Sequence, residues 1–156
     1  MNKKAQEEMI GFALILIIIA VLILVFLSFA LRNKTEISES HELNSFVQAS
    51  LSKTTTCESN YEGNFQNIRR LIFKCADGET CLGGTNSCEI LNETLQTILD
   101  DSWKVGIDYP EKGYTLNITK EGVELILFQN GNQTPQTNGA SQTFERGIDI
   151  YFNVYY

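Results

Sequence analysis

The stretch Met9–Leu31, MIGFALILIIIAVLILVFLSFAL, decides how the rest of the chain is read. It has 23 residues, none of them charged, and 17 are Ile, Leu, Val or Phe. Each such side chain favours the centre of a bilayer helix by roughly 0.3–0.6 kcal/mol, whereas a charge there costs about 2.5–3.5 kcal/mol. Insertion is therefore favoured by about 5–10 kcal/mol, and nothing in the run opposes it. At about 1.5 Å rise per residue the run reaches roughly 35 Å, enough to cross a hydrocarbon core of about 30 Å. No proline interrupts it, and its glycine, Gly11, lies near the start. The expectation is one membrane-spanning helix with the lipid bilayer as its partner. A secretory signal peptide has a shorter apolar stretch, about 7–15 residues, and Ser28-Phe29-Ala30 is a poor site for its removal.

Flanking charge orients the span only weakly. Lys3 and Lys4 precede it, and Arg32 and Lys34 follow it. Stronger signals come from the 125 residues beyond Leu31, enough for one small domain. Cys57, Cys75, Cys81 and Cys88 all lie there. An even cysteine count in an exported domain reads as two disulfides. Zinc sites use short CxxC-type pairs, which the spacings of 18, 6 and 7 do not supply. Three connectivities are open. Cys81–Cys88 is preferred, across the turn-forming Gly83-Gly84-Thr85-Asn86, with Cys57–Cys75 as the second bridge. Four N-x-T sequons, at Asn33, Asn92, Asn117 and Asn132, are glycosylation candidates. Cysteines and sequons together put the C-terminal side outside the cell.

That C-terminal part carries 17 acidic and 10 basic residues. Such a balance repels nucleic acid, whose phosphates need clustered Lys and Arg, so nucleic acid is excluded as a partner. The adjacent basic pair Arg69-Arg70 reads as a solvated helix face.

Periodicity sets the elements. Leu43, Phe46, Val47, Ser50 and Leu51 form one helical stripe, and no Gly or Pro falls between Phe12 and Cys57. The expectation is one long helix over residues 6–56, with its transmembrane span at 9–31 and an amphipathic second half. Asn64 is read as the cap of a helix over Phe65–Lys74. A further helix is expected over Cys88–Trp103, with Trp103 closing the core. After Pro110 the pattern turns to strands, Tyr114–Thr119 and Val123–Gln129, forming a hairpin. Asn130–Ser141 reads as a polar loop. Gly147–Tyr155 alternates cleanly, with Ile148, Ile150, Phe152 and Val154 on one face. The expected fold is α+β. A long N-terminal helix packs on a small head, residues 57–156, that holds two short helices and a three-stranded antiparallel sheet.

The N-terminus resembles a known family. Lys3-Lys4-Ala5-Gln6 followed by a uniformly apolar helix is similar to the class III signal peptide of type IV pilin-like proteins, particularly archaeal ones. The resemblance implies cleavage by a prepilin peptidase between Ala5 and Gln6, leaving residues 1–5 as a leader. It also implies a long helix on a variable head, and association with identical or related subunits through that helix. Where the family often carries a glutamate, five residues after the cut, this chain has Ile10, and its acids are Glu7 and Glu8. Cleavage would leave an amine on Gln6 with which Glu7 or Glu8 of a neighbouring subunit could pair to set register, because a low-dielectric ion pair is costly to break.

No motif for catalysis, metal or cofactor emerges, and the chain is read as a non-enzyme without a cofactor. A Ser-His pairing at Ser40-His41 lacks an orienting acid. Asp100, Asp101 and Asp108 lack the calcium-loop spacing. Gly83-Gly84 sits in neither a GxGxxG nor a P-loop. Two functions follow as expectations. One is a pilin-like structural subunit of the cell envelope. The other is a single-pass anchored binding or adhesion module, neither cleaved nor polymeric, with Tyr61, Tyr151, Tyr155 and Tyr156 as contact candidates.

Overall fold

The computed structural model describes residues 15–27 and 41–156. The chain divides into two compact units, Met1–Glu36 and Ile37–Tyr156. In the first unit, residues 15–27 form helix α1. All of its side chains are exposed, from Val25 and Ile19 at 47% to Phe26 at 76% among the large apolar ones. Thirteen residues at about 1.5 Å rise span roughly 20 Å. Among the described residues, no helix is long and apolar enough to cross a membrane. Residues 9–14 and 28–31 of the expected span lie outside the described residues, as do Ala5, Gln6, Glu7, Glu8 and Asn33.

The second unit holds α2 (His41–Ser52), β1 (Thr54–Glu58), β2 (Phe65–Asn67), α3 (Ile68–Ala76), α4 (Ser87–Ser102), β3 (Gly113–Lys120), β4 (Val123–Gly131), β5 (Thr137–Phe144) and β6 (Ile148–Tyr155). A single 3-10 turn, Glu145–Gly147, leads into β6. Strands β4-β3-β6-β5 make a four-stranded sheet in that order, antiparallel throughout, and β1 and β2 pair as a separate ribbon.

This corrects the expected fold in two respects. The long helix to residue 56 does not exist, because α2 stops at Ser52 and Thr54–Glu58 is a strand. The β-branched run Thr54-Thr55-Thr56 prefers extended backbone. Its inward member, Thr55, donates its hydroxyl to the Gln66 carbonyl across the ribbon at 2.9 Å. The sheet has four strands rather than three, because Thr137–Phe144, whose first five residues fall in the expected polar loop Asn130–Ser141, pairs along the whole of β6. Smaller corrections follow. Phe65–Asn67 is strand, and α3 starts at Ile68 with Asn67, not Asn64, as its cap: the Asn67 side chain accepts from Arg70 N at 3.0 Å. Asn86 caps α4 in the same way, accepting from Cys88 N at 2.8 Å.

The core lies between the helices and one face of the four-stranded sheet. Leu116 and Ile118 of β3, and Ile148, Ile150, Phe152 and Val154 of β6, are buried against Leu43, Val47 and Leu51 of α2. Leu71 and Ile72 of α3, with Leu91, Leu95 and Leu99 of α4, complete it. Phe152 is fully buried and is the hub of an aromatic group. Phe46 and Trp103 stand 5.2 and 5.4 Å from it, ring to ring, and Tyr114 stands 6.3 Å away. The two-residue alternation of β6 supplies this face at every second position, which is why one strand carries so much of the core. The outer face of the sheet is polar, with Thr115, Asn117 and Thr119 beside Asp149, Tyr151 and Asn153.

Candidate functional site

Two disulfides staple the head, Cys57–Cys81 and Cys75–Cys88. The preferred connectivity, Cys81–Cys88 with Cys57–Cys75, is thereby corrected. The turn at Gly83-Gly84 does form, closed by Gly84 N donating to Cys81 O at 3.0 Å, and Cys81 N bonds Thr85 O at 2.9 Å. It nevertheless sends Cys88 into the first turn of α4, where that helix packs against α3 and meets Cys75, with Cα atoms 4.6 Å apart. Cys81 turns instead to β1, where Leu82 N donates to Glu58 O at 3.0 Å beside Cys57. Helix packing, not loop length, decides the pairing.

The sequons fall in unlike places. Asn92 is exposed on α4. Asn117 lies on β3, an inner strand of the sheet, and its Oδ1 is buried without a partner. Asn132 is exposed in the connection between β4 and β5. Of the tyrosines, Tyr61 and Tyr151 are exposed, while Tyr155 is half-buried with its hydroxyl 3.2 Å from Thr115 Oγ1. His41 Nδ1 lies 3.1 Å from Ser45 Oγ on the exposed first turn of α2. Among the described residues no carboxylate bonds that ring, and no His, Cys, Asp and Glu side chains group tightly enough to hold a metal ion. Gln142 Oε1 is another buried acceptor without a partner.

The site with a definite shape is a cleft of about 500 Å³ at one end of the head. Three segments build it, the first far from the other two in sequence. The first turn of α2 brings Glu42 and Phe46. The end of α4 brings Asp101, Ser102, Trp103 and Lys104. The connection to β3 brings Tyr109 and Glu111. Trp103 packs edge-on against Phe46, 5.4 Å between centroids, so one aromatic wall is fixed by the core itself. Its indole Nε1 is buried and has no hydrogen-bond partner.

The third segment is held by its own backbone. Gly106 N donates to Glu111 O and Tyr109 N to Gly106 O, each at 3.2 Å. The Lys112 ammonium donates to the carbonyls of Tyr109 at 2.6 Å and Ile107 at 3.3 Å. Lys112 is in turn fixed to the sheet, its N bonding Tyr155 O at 2.7 Å and its carbonyl accepting from Asn132 N at 2.8 Å. The approach demands glycine at both strand ends. A Cβ on Gly113 would stand 2.6 Å from the Asn132 carbonyl, and Gly131, at φ +72°, has no room for one against Lys112.

The cleft is electronegative. Among the described residues no salt bridge engages Glu42, Asp101 or Glu111. Asp100 and Asp101 sit in the last turn of α4, which holds no basic residue, so their charges add to the negative end of the helix dipole. Burial first, and then the fields of Glu111 and Glu42, push the Tyr156 phenol above its ordinary pKa, against a hydrogen bond with Asn138 that lowers it. A second cavity, about 20 Å³ between the helices and the sheet, is apolar and no larger than a water molecule.

Of the cleft residues, the sequence marks Phe46 through its helical stripe, Trp103 as core, and Asp101 in a set of acids without calcium-loop spacing. Glu42, Tyr109 and Glu111 carry no local signal, because the site forms only where the first turn of α2 meets a region about sixty residues further on. No protein-family profile, no curated protein and no solved structure matches the chain. The pilin-like resemblance therefore rests on the N-terminal residues quoted above.

Proposed function

We propose that the protein is a pilin-like structural subunit of the cell envelope, held by or assembling through the apolar segment that begins at Met9, with its head outside the cell. The observation that carries this reading is the surface of residues 15–27, where every side chain is exposed. A helix that is apolar all round is stable only when lipid or other apolar helices cover it. Two further features support the reading. Structural disulfides belong to oxidising, extracytoplasmic surroundings. Lys3-Lys4-Ala5-Gln6 also offers a prepilin-type cleavage sequence directly before the run. The partners on this reading are the bilayer, identical or related subunits, and a prepilin peptidase acting at Ala5–Gln6.

N-terminal mass spectrometry on sheared surface material tests it. A filament-borne chain beginning at Gln6 is the expected result. An intact Met1, found only in membranes, transfers the assignment to the second reading, an anchored binding or adhesion module. The acidic aromatic cleft is the observation that favours that second reading.

A further inference from the structure

We draw no further inference here: the strongest candidate, the outer edge of the four-stranded sheet along β4, where Val123 and Leu127 are exposed, is paired with β3 on one side only, and nothing in the structure shows what covers the other.

Discussion

Asp77 joins the end of α3 to the sheet through two cations. Lys120 Nζ bonds its Oδ1 at 3.0 Å and the Ala76 carbonyl at 2.9 Å, and Arg146 Nη1 meets its Oδ2 at 2.8 Å. The Lys120 hydrogen bond, with the fields of Lys120 and Arg146, holds the carboxyl below its ordinary value of 3.8 against a smaller opposing effect of desolvation. A folded-state pKa lowered in this way stabilises the fold above the unfolded value, and the stabilisation fades as pH falls through the lower folded value. The window therefore lies below pH 3.8. We expect Asp77→Asn to melt at a lower temperature than the wild type by a constant margin above about pH 5, a margin that closes on further acidification. Thermal scans of both proteins across that range check it. The margin should be small, because the pair is exposed to solvent and salt. Arg146 holds a left-handed conformation, φ 62°, which costs a non-glycine residue about 1–2 kcal/mol. The contacts to Asp77 and to the face of Phe73, 5.8 Å away, offset that cost.

Among the elements, those with strong periodicity were legible in the sequence. The α4 stripe, the β3–β4 hairpin and the alternation of β6 are found where expected, to within a residue or two at most ends. The failures have definite physical causes. β1 follows α2 after a single residue, and its three threonines keep the polar character of a fraying helix end. β5 shows no apolar alternation, because only Gly139 and Ala140 are buried, and an edge strand can be small and polar. Cysteine parity announced two bridges, while their connectivity depends on how α3 meets α4. The bridges interlock, since Cys75 and Cys88 lie either side of Cys81, the partner of Cys57. With sequence separations of 24 and 13, each removes about 3 kcal/mol of chain entropy from the unfolded state. We expect Cys75→Ser with Cys88→Ser to cost roughly 2–4 kcal/mol in urea unfolding monitored at Trp103. A loss below about 0.5 kcal/mol would show that the bridge adds nothing beyond the α3–α4 packing.

For the whole molecule, two unlike parts share one chain. The head buries its own core, carries two crosslinks and presents an acidic cleft. No side chain of residues 15–27 is buried, and apolar surface is exposed along their whole length. The sequence showed this division through hydropathy alone. It did not show that the amphipathic helix belongs to the head as a separate element, α2, or that the cleft forms where that helix meets α4. At about 25 cal/mol per Å², exposed apolar surface is a strong drive to find cover, in lipid or in copies of the same helix. The most direct test of this account is density-gradient flotation of the full-length chain with lipid vesicles in detergent-free buffer, with Leu22→Arg alongside. The account predicts that the wild type floats with vesicles or sediments as a polymer, and that Leu22→Arg shifts toward the soluble fraction. A wild-type chain that stays a monodisperse monomer in aqueous buffer would contradict it.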